Sequence, residues 1–103
     1  MKNNFGIYPT SYQLLIEGIQ QFEEIEKVII FGSRAMGNYK EGSDLDLAVL
    51  GSHVNLNTIT KLSSLLNEEL PIPYFIDVVD IKTIKEAALK EHILKEGKVI
   101  FEP

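Results

Sequence analysis

The chain predicts an α/β (α+β) fold: a small mixed β-sheet with flanking helices. Three observations lead there. Short apolar runs, Val28-Ile29-Ile30-Phe31 and Tyr74 to Val79, have strand length and β-branched content. Asp44 to Leu50 alternates acids and leucines as a half-buried strand does. Between these runs lie stretches with apolar residues at helical spacing. Helices laid on one side of the sheet are the simplest way to bury all these faces.

The elements follow in order. Residues 1–9 form a lead-in ending at Pro9. Thr10 or Ser11 caps a helix whose apolar face is Tyr12, Leu15, Ile16, Ile19 and Phe22, weakened slightly by Gly18. The run Val28–Phe31 is a central strand that ends at Gly32-Ser33, and a short helical turn starts at Ser33 and runs through Met36. Gly37 to Gly42, with Asn38, Lys40 and Glu41, is a polar excursion. After the strand 44–50, Gly51-Ser52 turns the chain. Asn55 or Asn57 then caps a helix with Ile59, Leu62, Leu65, Leu66 and Leu70 on one face, stopped by Pro71 and Pro73. After the strand 74–79, a helical stretch starts at Asp80 or Lys82 and runs through Ala88 and Leu89 toward Leu94. Gly97 breaks it, and Val99-Ile100-Phe101 adds an edge strand.

With 103 residues the chain makes one domain, 1–103, with a modest core. No apolar run reaches the ~18 residues of a membrane span, and Met1 to Gly6 lacks the apolar stretch of a signal peptide. Cysteine is absent, which excludes disulfides and thiolate metal sites and fits a reducing cytoplasmic setting. The net charge of −5 (15 acids against 10 basic residues) disfavours a broad nucleic-acid surface. No basic recognition helix is present, so a DNA-binding repressor and stable DNA binding are not expected.

The chemistry concentrates around Gly32. Asp44 and Asp46 sit one residue apart, so a strand points both to one face beside the Gly32-Ser33 turn. Paired like charges are usually explained by a divalent cation. A turn of backbone N–H groups beside such a pair suits a metal-bound polyphosphate. The alternative, a polar loop entering a solvated strand, fits poorly with Leu45 and Leu47 in alternation. Asp77, flanked by Ile76 and Val78, is a third acid inside a strand pattern. With its strand beside that of Asp46, the three carboxylates suit two Mg²⁺ ions about 3.5–4 Å apart. On an edge strand Asp77 would instead face solvent. Asp80 reads as a helix cap. Arg34 meets either the triphosphate or a partner protein, or is a plain surface residue, and Lys40 is a weaker phosphate candidate. His53 and His92 have no ligand spacing and read as surface residues. The turn is neither a P-loop nor a dinucleotide fingerprint, because neither pattern of glycines and Lys-Ser/Thr is present.

Gly32-Ser33, ten intervening residues and then Asp44-Leu45-Asp46 resemble the signature of the DNA polymerase beta-like nucleotidyltransferase superfamily. The string FGSRAMGNYKEGSDLDLAV looks like the minimal nucleotidyltransferases (MNT) of bacteria and archaea, and PYFIDVVD resembles the strand with their third acid. The resemblance implies a nucleotidyltransferase palm. Gly32, Ser33 and Arg34 would bind the nucleotide. Asp44, Asp46 and Asp77 would be catalytic and would ligate two Mg²⁺ (or Mn²⁺), with ATP as substrate. It further implies a hetero-complex with a small helical HEPN-type or substrate-binding-like protein, and an antitoxin role in which AMP passes to a partner tyrosine. Met36 stands where many relatives carry Arg or Lys. Apolar patches around Tyr12 and Ile16, and at Val99 to Phe101, are the expected partner surfaces. The competing expectation is a non-catalytic subunit that binds a nucleotide and its partner but transfers nothing.

Overall fold

A computed structural model describes residues 5–37, 39–40 and 42–103; Met1 to Asn4, Asn38 and Glu41, which the sequence places in the lead-in and the polar excursion, lie outside the described residues. The element order is α1 (Pro9–Gln20), β1 (Lys27–Phe31), α2 (Ser33–Met36), β2 (Leu45–Leu50), α3 (Leu56–Ser64) continued by a π turn (Leu65–Glu69), β3 (Ile76–Asp80), a 3₁₀ turn (Ile81–Thr83), α4 (Ala87–Glu96) and β4 (Lys98–Phe101). The sheet order is β3-β2-β1-β4, with β1 antiparallel to both β2 and β4 and with β2 parallel to β3. The expected mixed sheet with flanking helices is the observed architecture.

Helix coverage differs from expectation. Alternate residues of β1 enter two separate cores. Val28 and Ile30 join Leu45, Leu47, Val49, Ile76 and Val78 under Leu15 and Ile19 of α1 and Leu62 of α3. Ile29 joins Ala48 under Ile81 and Ile93, with Phe31, Leu50 and Val79 packed alongside. Helices therefore cover both faces. The reason is visible in β1: a strand apolar at every position from Val28 to Phe31 needs a cover on each side.

Local chemistry sets the ends of the elements. Helix α1 starts at Pro9 rather than after Thr10 or Ser11, because proline's fixed φ and missing N–H suit a first helical position. Asn55 caps α3 in a reciprocal box with Thr58, which is one of the two caps expected. Asp80 caps only the short 3₁₀ turn, by accepting from Lys82 N at 3.0 Å, and α4 begins separately at Ala87. Gly97 ends α4, and β4 forms the edge strand as read. Tyr12 and Ile16 are half-buried, with part of each side chain packed onto the first core. On the C-terminal run only Val99 is largely exposed, whereas Ile100 and Phe101 pack inward. Leu89 and Leu94 of α4 are the other exposed apolar side chains in that part of the chain.

Candidate functional site

The site forms where β1 ends and β2 and β3 begin. Phe31 pairs with Asp46 across the antiparallel β1–β2 contact, and Asp46 pairs with Asp77 across the parallel β2–β3 contact. Residues opposite one another on neighbouring strands share a face, so Asp46 and Asp77 stand side by side about one strand spacing apart, roughly 4.8 Å between backbones. Asp44 lies just before β2 rather than inside it, two residues upstream of Asp46. Asp44 and Asp77 are exposed and Asp46 is half-buried. All three acids sit at the end of the sheet face that α4 covers farther along through Ile93.

The electrostatics reflect this grouping. Burial pushes the Asp46 carboxyl above the ordinary aspartate range, and the negative charges of Asp77 and then Asp44 push it further. Among the described residues, no three Asp, Glu or His side chains are closed around one point as a finished metal site. The chemistry of the three acids nonetheless fits a hard divalent cation: they are oxygen-only donors grouped at one end of the sheet, and the charges of Asp77 and Asp44 act on Asp46 there.

Gly32 is irreplaceable on two counts. Its backbone has φ 78° and ψ −155°, a conformation open essentially to glycine alone. A Cβ added there would stand 2.6 Å from the Asp46 Oδ2 atom. The turn and the central acid are thus in direct van der Waals contact, with no room for a side chain between them. Ser33 opens α2, whose leading N–H groups lack acceptors within the helix.

Arg34 is not the plain surface residue that was one of its expected roles; it is 2% exposed. Its Nε and Nη2 donate to the Ser43 carbonyl at 3.2 and 2.7 Å, and Nη1 donates to the Phe5 and Gly6 carbonyls at 3.1 and 3.0 Å. The guanidinium also lies over the rings of Tyr39 and Tyr74, 4.7 and 4.9 Å from their centroids. Arg34 therefore ties the start of the chain to Ser43, the residue before Asp44. The helical geometry of α2 sends successive side chains to different sides, and the one after Ser33 goes inward. Missing from the sequence reading were Tyr39 and Tyr74. Tyr39 lies five residues after Arg34 in the polar excursion and is a local hint; Tyr74 lies 40 positions away and offers none.

The other candidates behave as surface or structural residues. Lys40 is exposed in the excursion, and its backbone N–H donates to Ser43 Oγ at 3.0 Å. His53 and His92 are exposed. Asp80 is buried at the opposite end of β3 and pairs with Lys82 at 3.6 Å. Met36 is exposed.

Residues 13–103 match the family described as Polymerase beta, Nucleotidyltransferase. The chain belongs to this family. A protein adenylyltransferase assigned in Methanocaldococcus jannaschii is 30% identical to it over 80 residues, 75% of this chain and 79% of that protein. Among solved structures, a chain of a toxin–antitoxin complex with AMP-PNP superposes with a TM-score of 0.72 at 21% identity, covering 89% of this chain and 73% of that one. A complex of a tri-AMPylated Shewanella oneidensis HEPN toxin with an MNT antitoxin gives a TM-score of 0.66 at 19% identity, covering 91% and 71%. A Sulfolobus solfataricus nucleotidyltransferase gives 0.55 at 22%, covering 89% and 77%. The fold of this nucleotidyltransferase is therefore shared with proteins of toxin–antitoxin complexes. No helix among the described residues is long and apolar enough to cross a membrane.

Proposed function

We propose that this nucleotidyltransferase moves AMP from ATP to a hydroxyl on a HEPN-type partner protein, most simply a tyrosine, and that it thereby acts as an antitoxin. The observation that carries this reading is the pairing of Asp46 with Asp77, beside Asp44 and a glycine turn that touches Asp46. The names of similar proteins point the same way: one is an adenylyltransferase of proteins, and another comes from a complex in which a HEPN toxin carries AMP.

Each residue has a definite task. Gly32 lets the backbone approach the triphosphate closely, and Ser33 offers an N–H and a hydroxyl to its oxygens. Arg34 takes no part in contacting the nucleotide; it holds the Ser43–Asp44 entry in place. Asp44, Asp46 and Asp77 would hold Mg²⁺ or Mn²⁺, two ions in all, through their carboxylate oxygens. Bound there, the cations would supply Lewis-acid stabilisation of charge on the phosphate oxygens. Asp77, the more exposed member of the paired acids, orients the acceptor hydroxyl and takes its proton as the oxygen attacks the α-phosphorus. The bond from the α-phosphorus to its bridging oxygen breaks, and pyrophosphate leaves toward the Gly32-Ser33 turn.

The test is intact-mass spectrometry of the partner after incubation with the protein, Mg²⁺ and ATP. The partner is expected to gain the mass of AMP, with no gain when Asp44→Ala/Asp46→Ala replaces the natural protein. A partner that binds yet stays unmodified with each of the four nucleoside triphosphates would make the chain a non-catalytic nucleotide- and partner-binding subunit.

A further inference from the structure

We infer that Asn67, in the π turn, is a positioning residue for Asp77: its carboxamide clamps both backbone groups of Ile76 and so sets where the next carboxylate stands. The inference rests on the reading of Asp77 as the acid that faces metal and acceptor.

Strand β3 is an edge of the sheet, and one of its sides has no neighbouring strand among the described residues. The Phe75 carbonyl accepts from Leu45 N–H at 2.9 Å and so points toward β2. Alternation along a strand then turns the N–H and C=O of Ile76 outward, toward the open edge. Asn67 takes both. Its Oδ1 accepts from Ile76 N–H at 2.8 Å, and its Nδ2 donates to the Ile76 carbonyl at 2.8 Å. These two bonds are what a residue of a further strand would supply, made here by one side chain. Nδ2 also donates to the Ser63 carbonyl at 3.0 Å, which ties the clamp back to α3.

The π turn makes this reach available. The Leu70 N–H bonds to the Leu65 carbonyl five residues back, at 3.0 Å, which inserts one extra residue in the turn. Leu66 stays in the core while Asn67 is turned to the strand edge. Asp77 is the residue immediately after the clamped one. It is exposed, and its strand register with Asp46 also constrains it. Fixing Ile76 therefore limits how far the Asp77 backbone can drift from Asp46. Misplacing a reacting group by about 1 Å costs on the order of 100-fold in rate, so a clamp of this kind reads out in turnover.

The experiment compares Asn67→Ala, Asn67→Asp and Asp77→Asn with the natural protein. Two measurements are made: Mn²⁺ affinity of the protein alone, and AMP transfer in the complex with its acceptor protein. Supporting residues around metal ligands typically contribute about 10–100-fold to affinity or activity. Asn67→Ala is therefore expected to lower kcat by about 10-fold or more and to weaken Mn²⁺ binding, in the same direction as Asp77→Asn. KM for ATP is expected to stay within about 2-fold, because Gly32 and Ser33 are untouched. Asn67→Asp keeps the acceptor for Ile76 N–H and loses the donor to its carbonyl, so it carries the comparison if the alanine variant does not fold. A fall in thermal stability with kcat and Mn²⁺ affinity unchanged, while Asp77→Asn loses both, overturns the inference and leaves Asn67 a structural edge plug. If Asp77→Asn itself changes neither quantity, the assignment of Asp77 fails instead, and the role of Asn67 falls with it.

Discussion

Replacing Arg34 separates two accounts of the glycine turn. Arg34→Met keeps an unbranched apolar stem of similar reach and removes the guanidinium. Four hydrogen bonds to three carbonyls are lost, those of Phe5, Gly6 and Ser43. The arginine is 2% exposed, so water does not readily replace them. An orphaned buried acceptor costs about 1–3 kcal/mol, and removing the arginine's own desolvation returns part of that. The Gly6 carbonyl keeps a bond from the Tyr74 hydroxyl at 3.4 Å, and the bonds to Phe5 and Ser43 are part-buried. The low end for each carbonyl, about 3 kcal/mol in all, is therefore an upper figure for the loss. For a chain of this size that corresponds to roughly 12–24 °C in Tm. Arg34→Lys keeps a charge but cannot fork to Ser43 and to the Phe5–Gly6 carbonyls together, so a loss of about 2 kcal/mol is expected. Urea unfolding followed by circular dichroism reads both values, with the slope checked against the natural protein. Stability within about 0.5 kcal/mol of the natural protein for both variants, accompanied by a large drop in Mg²⁺–ATP affinity, would refute the structural role and return Arg34 to the nucleotide.

Three other outcomes follow from the site. Asp46→Asn is expected to stabilise the protein at pH 7 in EDTA. The folded state raises the Asp46 pKa, so its ionised form costs stability; that cost is fully present above the raised value and disappears as pH falls toward the ordinary 3.8. Urea midpoints at pH 7 and pH 3.5 check the sign, and a variant less stable at pH 7 contradicts the repulsion among Asp44, Asp46 and Asp77. Gly32→Ala meets both a glycine-only backbone and the Asp46 carboxylate, so a loss of about 2 kcal/mol is expected from the backbone alone. AMP transfer should fall with it, whereas Ser33→Ala, which removes one hydroxyl, should cost far less in the same assay; equal effects would argue against the contact between turn and acid. Calorimetry is expected to show ATP binding in Mg²⁺ and much weaker binding in EDTA, since bare carboxylates repel the triphosphate; equal affinity in both counts against the site.

Features that depend on short spacing were legible in the residues alone. Acids two residues apart, a glycine at the end of an apolar run, a cap at Asn55 and a break at Gly97 are each encoded within a few residues, where backbone geometry leaves little choice. The resemblance carried by those residues also named the family to which the chain belongs. Features that needed the folded chain involve partners far apart in sequence. Asp77 and Asp46 are 31 positions apart, and nothing local sets the register that pairs them; α3 and its π turn do so by delivering β3 to the edge of β2. The side of the sheet taken by α4 depended on which face of β1 remained uncovered. Arg34 shows the difference most sharply. A charged residue beside a phosphate-type turn looks outward in sequence, yet carbonyls from residues 5, 6 and 43 and two tyrosine rings close around it. A buried guanidinium is tolerated only when its donors are satisfied, and the groups that satisfy this one come together only once the chain has folded.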